Sequence, residues 1–333
     1  MKILIIGGTG VISKHVCDYI IKKGNQVTVI NRGVRSQLIN NYVKYIKADI
    51  NNINIIQKEI AVCYFDAVID FVSFNEIDIL NRYKVFNGKI GQYIFISSAT
   101  VYKVKEGIVT EMSPLGNDYN LYAQNKIACE KMLREMCADS FPVTVVRPSH
   151  TFDSTVVPLG IHGKNGSWQN VKRMIQGNKV IIHDEGLGFW SMLRSEDFAR
   201  IIYRLIGSIK AIGETFQITH DDFLKWIDIY KIVADELDVE LKPCFVSSEI
   251  LANEGFTFDL KAKLYGDKAR SITFINKKVK KITGDITPIY SMEEGIRESV
   301  RTVCSNKCYQ KDDLQFDIWC DFIVEKYGQR EIG

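Results

Sequence analysis

No stretch of the 333-residue chain approaches the ~20 consecutive apolar residues that cross a bilayer, so a membrane-spanning helix is excluded. A basic block is missing too. The 43 Lys and Arg against 40 Asp and Glu leave a formal net charge of +3 spread along the chain, without the electrostatic footprint of a nucleic-acid binder. Cysteines at 17, 63, 129, 137, 244, 304, 308 and 320 form no paired C-x-x-C sets, and Cys304 with Cys308 supply too few ligands for a structural zinc. They read as thiols of a reducing cytosol, and no metal is expected. The opening residues lack the layout of a signal peptide: the apolar run is short and leads straight into glycines, so the expected location is cytoplasmic. Internal repeats and low-complexity segments are absent. What remains is an ordinary globular composition, 46% hydrophobic and 25% charged, on a chain long enough for one large α/β unit or two lobes.

The amino terminus organises the rest. Lys2-Ile3-Leu4-Ile5-Ile6 is an apolar run rich in β-branched residues, the signature of a strand buried on both faces of a parallel sheet. Gly7-Gly8-Thr9-Gly10-Val11-Ile12-Ser13 follows directly, then Val16, Tyr19 and Ile20 recur at helical spacing until Gly24-Asn25. A strand, a glycine loop and a helix in that order form an anion site, because the glycines let backbone approach a pyrophosphate and the helix start offers free N–H groups. Ser13 stands where the dinucleotide fingerprint has its third glycine, and it is small enough for close helix–strand packing. A second strand at Gln26–Ile30 closes a unit of about thirty residues, the size expected of the motif. A dinucleotide is therefore expected, with Gly7, Thr9, Gly10, Val11 and Ile12 around its phosphates.

The carboxylate that usually holds the adenosine ribose of NAD at the end of the second strand is also lacking. Asn31, Arg32 and Arg35 stand there instead, and a guanidinium pairs bidentately with a 2′-phosphate. NADP(H) is the preferred cofactor on this reading and NAD(H) the alternative, in which the arginines are solvated surface groups. Third and fourth strands are expected at Tyr42–Ile46 and Phe65–Ser73, bringing Asp49 and Ile50 to the adenine and Phe71, Val72 and Ser73 to the ribose and pyrophosphate. Asp49 reads equally as a helix cap. A fifth strand, Gln92–Ile96, runs into Ser97-Ser98-Ala99-Thr100. The βαβαβ succession predicts right-handed crossovers with ligands at the carboxyl ends of the strands.

Past a polar loop, the segment from Tyr119 to Met136 reads as a helix with Tyr122 and Lys126 four apart, on one face. A free phenol titrates near 10, and bringing it to neutrality takes roughly 4 kcal/mol in favour of the phenolate. One ammonium about 4 Å away at an effective dielectric of about 20 supplies that much. Lys126 is thus expected to tune Tyr122 for proton exchange with a carbonyl or hydroxyl, while Ser98 hydrogen-bonds the same oxygen. Beside a nicotinamide, these groups allow hydride transfer at a secondary alcohol carbon.

Taken together, the glycine loop, Phe95-Ile96-Ser97-Ser98-Ala99-Thr100-Val101-Tyr102, Tyr122-Ala123-Gln124-Asn125-Lys126, Val146-Arg147-Pro148, Gly213–Ile218 and Met292–Ile296 resemble the extended short-chain dehydrogenase/reductase superfamily, its sugar epimerases and dehydratases. The resemblance covers nearly the whole chain. It implies a catalytic triad of Ser98, Tyr122 and Lys126, with Tyr122 the acid/base and Lys126 also holding the nicotinamide ribose, and a dimer through helices flanking Tyr122. Family dehydratases carry an Asp-Glu pair where this chain has Ala99-Thr100, so 4,6-dehydration is disfavoured. The segment Phe189–Ala199 aligns with one whose arginine grips a nucleotide diphosphate; Trp190 occupies that place, with Arg194 as the substitute. Asn31-Arg32-Gly33 and Asp70-Phe71-Val72 are also similar to atypical members, some of which bind RNA and have lost the Tyr/Lys pair that this chain keeps.

The expected fold is α/β: a doubly wound parallel sheet of the Rossmann type over residues 1–150, joined by elements near 190–220, and a smaller α/β substrate lobe over 151–333. Pro148 and His150 are placed beside the nicotinamide, and Thr100, His162, Trp168, Trp190 and Arg194 around the substrate. His150 and His162 read alternatively as ordinary hydrogen-bonded or solvated loop residues. The expected activity is oxidation and reduction at a hydroxyl or carbonyl of a sugar or nucleotide-sugar, as an epimerase working through a transient ketone. A keto-sugar reductase using NADPH is the alternative, and a non-catalytic, RNA-associated cofactor binder the rival from another class. A small-molecule substrate and a homodimer are expected, without nucleic acid or membrane.

Overall fold

The computed structural model describes residues 1–35 and 41–328. The end of the carboxyl-terminal tail, residues 329–333, lies outside the described residues.

Seven strands build the main sheet: β1 (Lys2–Ile6), β2 (Gln26–Asn31), β3 (Lys44–Lys47), β4 (Ala67–Asp70), β5 (Tyr93–Ile96), β6 (Val143–Pro148) and β7 (Thr215–Ile218). Their spatial order is β7-β6-β5-β4-β1-β2-β3, every pair parallel. The helices α1 (Val11–Lys22), α2 (Ile53–Glu59), α3 (Glu76–Phe86) and α4 (Leu121–Ala138) connect the early strands. Chain direction along the sheet reverses at β1, so the crevice between the carboxyl ends of β1 and β4 is the switch point where such sheets bind ligands.

β1 is uniformly apolar because both of its faces are covered. Ile3 and Ile5 belong to one core cluster with Val16, Ile20 and Phe198, whereas Leu4 and Ile6 belong to the other with Ile56, Val68 and Phe86. Successive side chains point to opposite faces, so a one-residue slip would exchange the two cores. Each of these aliphatic side chains is at most 1% exposed, a burial that stabilises by roughly 1.5–3 kcal/mol apiece.

The fourth strand ends earlier than its apolar run. The Asp70 carboxylate accepts the N–H groups of Val72 and Ser73 at 2.8 and 2.9 Å, which turns the chain out of the ladder. The end of β6, Val145–Pro148, is held by pairing with β7.

A second body of structure packs around two further cores, one centred on Trp190, Trp226 and Tyr230 and one on Phe258, Phe316 and Cys320. It contains the parallel pair Val180–His183 with Pro243–Val246 and the helices Trp226–Glu236, Met292–Ser305 and Leu314–Tyr327. One pairing has no counterpart in the sequence pattern: Glu106–Val109 runs parallel to Ser271–Phe274. This ties the loop before α4 to a segment far along the chain. Among the described residues, no helix is long and apolar enough to cross a membrane.

Candidate functional site

The turn from β1 into α1 depends on positive φ. Gly7 and Gly8 have φ of +115° and +79°, and a Cβ on Gly8 would sit 2.8 Å from Val29 Cγ1 of the neighbouring strand. Gly10 precedes α1 with no side chain to cap it, and its own N–H donates to Ser13 Oγ at 2.9 Å. Ser13, in the place of the third glycine, is only 4% exposed and braces the loop from below. The Asn31 amide donates to Gly7 O at 2.8 Å, while its oxygen accepts from Gly33 N and the Tyr45 hydroxyl. Asn31 is therefore a brace for the loop, with its acceptor already committed.

A groove of about 640 Å³ runs across the carboxyl ends of β1, β2 and β4. Gly7, Thr9, Gly10, Asn31, Arg32, Arg35, Asp49, Ile50, Phe71 and Val72 line it. Of the expected cofactor residues, Val11 and Ser73 line neither this groove nor the cavity beside it. Val11 opens α1 and is 38% exposed. Ser73 is fully buried with its hydroxyl donated to Asp70 Oδ2 at 2.6 Å, so only its carbonyl acts in the site.

Phe71 also lines a second cavity, of about 280 Å³, so the two adjoin at this side chain. Its walls include Ile12, Ser98, Thr100, Tyr122, Lys126, Pro148, His150 and Trp190. Ser98 follows β5 and caps a short turn, accepting from the Thr100 N–H at 3.2 Å and the Thr100 hydroxyl at 2.9 Å. α4 begins beside it, its amino end capped by Asn120, whose side chain accepts from Ala123 N. One turn separates Tyr122 from Lys126 on this helix.

Lys126 is 1% exposed and donates to the carbonyls of Ser73 and Ile96 at 2.8 and 2.7 Å. It packs over Phe95, with Nζ 4.5 Å from the ring centroid, and lies 5.6 Å from the Tyr122 ring. Burial lowers its pKa to about 8, against the pull of Asp70 and other nearby groups. The expected tuning of Tyr122 by this amine is corrected here. Burial pushes the phenol up to about 12, the Ser98 hydroxyl pulls it partly back, and Asp267 raises it. The side chain as a whole is 41% exposed, but its hydroxyl end is sheltered. With two of its three N–H donors directed at carbonyls, Lys126 does not favour the phenolate enough to offset that shelter.

Two buried polar networks hold these parts at fixed separation. Arg147 of β6 forks onto Glu130 of α4 at 3.0 and 2.5 Å, and Ser97 donates to the same carboxylate. Below the groove, Asp70 gathers Arg82 Nε at 3.1 Å, the Tyr93 hydroxyl and the Ser73 hydroxyl.

Three expected substrate residues lie elsewhere. Trp168 donates its indole N–H to Asp312 at 3.0 Å at the start of the helix Trp168–Ile175. Arg194 is bound to Glu196, Glu298 and Gly295 O and stacks by Tyr290. His162 holds Gly163 O at 2.9 Å; burial and Lys268 keep it neutral, its pKa well below the usual range. None of the three lines the cleft. His150 does line it, kept neutral by burial and Lys268 with a pKa of about 3. Sequence reasoning missed Ser149, Ser191 and Asp267, which also line it. Ser149 lies between two residues that were found; Asp267 has no local signal at all.

The family model described as the NAD dependent epimerase/dehydratase family matches residues 3–219, spanning all seven strands but the first residue of β1. Over 98% of its length the chain is 23% identical to the chloroplast stem-loop binding protein of 41 kDa b of Arabidopsis thaliana, covering 84% of it. It is 22% identical to the 2′-dehydrokanamycin reductase of Streptomyces kanamyceticus, over 76% of this chain and 72% of that one. The structure of UDP-glucuronic acid 4-epimerase from Bacillus cereus in complex with NAD superposes with a TM-score of 0.71 at 16% identity, over 91% of this chain and 96% of that one. With the family match spanning most of the chain, and the glycine turn and parallel sheet to which it corresponds, the protein belongs to the NAD-dependent epimerase/dehydratase family.

Proposed function

We propose that the protein is an NAD(P)-dependent oxidoreductase acting at a hydroxyl or carbonyl carbon of a sugar, with epimerisation through a transient ketone as its reaction. One observation carries the reading: Ser98, Tyr122 and Lys126 line one cavity, and it adjoins, at Phe71, the groove over the glycine turn. The groove fits a dinucleotide, with an uncapped helix start for the phosphates and Arg32 and Arg35 at the far end. A bound nicotinamide supplies the hydride acceptor or donor. Tyr122, mostly protonated in the neutral range, gives its proton to the substrate oxygen when the ketone is reduced. In the oxidation half its minor phenolate form takes the hydroxyl proton, and Ser98 holds that oxygen by a hydrogen bond. Lys126, cationic below about 8, keeps the strand end and the loop after β4 together beneath it.

A keto-sugar reductase is the second reading, supported by the kanamycin-series reductase among the relatives. Both reactions use the same proton transfer and differ in whether the ketone is reduced again before release. Stoichiometric loss of NADPH absorbance during turnover selects the reductase; turnover without net loss selects the epimerase. The stem-loop binding relative supports a third reading, RNA association, for which binding should weaken steeply with added salt.

For the cofactor, NADP(H) is the proposed preference. Arg32 and Arg35 line the groove, and the Asn31 oxygen has no free capacity for ribose hydroxyls. The dissociation constant for NADPH is expected to be below that for NADH, and Arg32→Ala should weaken NADPH alone by about tenfold or more, the worth of a charge-assisted hydrogen bond. Tighter NADH binding by the wild type would overturn this preference.

A further inference from the structure

The cleft holds polar groups that the proton-transfer scheme does not use. Asp267 lies on a π-helical turn, Leu264–Lys268, whose position is set by its neighbours on both sides. Gly266 O accepts from Asn117 Nδ2 at 2.7 Å, and the same nitrogen donates to Thr100 O at 2.8 Å. A Cβ on Gly266 would come within 2.9 Å of Asn120 Cβ, so glycine lets the turn close onto the start of α4. On the other side, Lys268 O accepts from the Trp226 indole and from His183, at 3.0 Å each. The turn thereby presents Asp267 to the cleft near the Tyr122 phenol.

No hydrogen bond or ion pair from a described residue reaches the Asp267 carboxylate. The neighbouring cations are directed elsewhere: Lys268 Nζ to Gly160 O at 2.9 Å and Arg270 to Tyr102 O at 2.5 Å. Burial raises the carboxyl to about 6, with Lys268 and Arg270 pulling it down, so it is largely ionised at neutral pH. Two more unmet groups line the same cavity. Trp190 is 4% exposed, stacked on Trp226, and its indole N–H has no partner; the Ser149 hydroxyl is buried and likewise unpartnered. Buried polar groups without partners are costly, so these two, together with the half-buried Asp267 carboxylate, mark where a ligand's own donors and acceptors belong. Among the described residues, Lys126 is the one cation lining this cavity, and two of its three N–H donors are spent on carbonyls.

We propose that Asp267, Trp190 and Ser149 anchor the substrate, accepting from and donating to the hydroxyl or protonated amino groups of an uncharged or cationic sugar, and that the carboxylate excludes a nucleoside diphosphate from the cleft. This rests on the reading that the cleft holds a sugar beside Tyr122. A free hydroxyl and an ammonium are both donors that a carboxylate accepts, and a diphosphate offers neither while adding like charge.

Calorimetric titration of the NADPH-saturated protein with glucose, glucosamine and UDP-glucose tests it. Glucose or glucosamine should bind about tenfold or more tightly than UDP-glucose, and the better of the two says whether hydroxyl or ammonium is preferred. Asp267→Asn should weaken that ligand by about tenfold or more and narrow the discrimination against UDP-glucose, with NADPH affinity unchanged. Trp190→Phe, which removes the N–H donor together with part of the ring stacked on Trp226, should weaken it by about three- to tenfold or more. Tightest binding of UDP-glucose by the wild type, or the same result for wild type and Asp267→Asn with all three probes (no binding by either included), overturns the proposal. Tyr122→Phe separates the two readings. If that variant keeps full turnover while Asp267→Asn loses the sugar, the proton-transfer scheme fails and the anchor stands.

Discussion

Replacing Tyr122 with phenylalanine is expected to lower turnover by about a hundred- to ten-thousandfold, the usual contribution of a positioned general acid or base. The substitution deletes one oxygen from a ring that packs near Phe74, with centroids 6.2 Å apart, and leaves the groove over the glycine turn untouched. Cofactor affinity should therefore stay within about twofold, which separates loss of proton transfer from loss of binding. The pH profile carries a sign. Tyr122, raised to about 12, remains protonated from neutral pH upward and acts as an acid for a carbonyl substrate. Lys126, lowered to about 8, loses its charge as pH rises through that value. Reduction is thus expected to fall above about pH 8 in the wild type, following the loss of the cation rather than ionisation of the phenol. Turnover of Tyr122→Phe within about threefold of the wild type would remove Tyr122 from the mechanism.

Asp70→Asn carries the second large effect, on stability. Arg82 is fully buried and its Nε donates to this carboxylate; the substitution leaves the guanidinium with a neutral amide of Asn51 and the Ile50 carbonyl as acceptors. Removing one partner of a buried pair costs about 3–5 kcal/mol, because the remaining charge is uncompensated in a dry site. Urea unfolding at neutral pH should show that loss as a lowered midpoint. Burial alone would raise the Asp70 carboxyl, but Arg82, Ser73, Tyr93 and the Val72 N–H together hold it below its ordinary value. A carboxyl depressed in the folded state contributes stability that is present above its unfolded pKa of about 3.9 and is lost as pH falls below it. The gap between wild type and variant should accordingly be constant from about pH 8 to pH 5 and narrow below about pH 4. A gap that persists undiminished into acid would show that packing, not the ion pair, carries the effect.

The parts of the site legible in the sequence are those built from residues close together in the chain. Ile3 to Ser13 could be read directly, since strand, turn and helix are consecutive and each has its own local pattern. Tyr122 and Lys126 were legible because helical spacing alone places them on one face. Trp168 and Arg194 were misplaced for the opposite reason. Their residue types suit a ligand, but the partners that occupy them, Asp312 and Glu298, stand more than a hundred residues away. Asp267 was invisible for the same reason. It reaches the cleft through the pairing of Ser271–Phe274 with Glu106–Val109, an exposed strand whose burial shows no alternation to read.

The apolar run of β1, the positive-φ glycines behind it and the four-residue step from Tyr122 to Lys126 are local properties, and the amino-acid sequence by itself determined them. The direction of the Tyr122 pKa, the engagement of Lys126 with two carbonyls and the arrival of Asp267 opposite them were decided only by tertiary structure. Desolvation and charge proximity depend on which distant segments close over a group, and no periodicity in the chain encodes that.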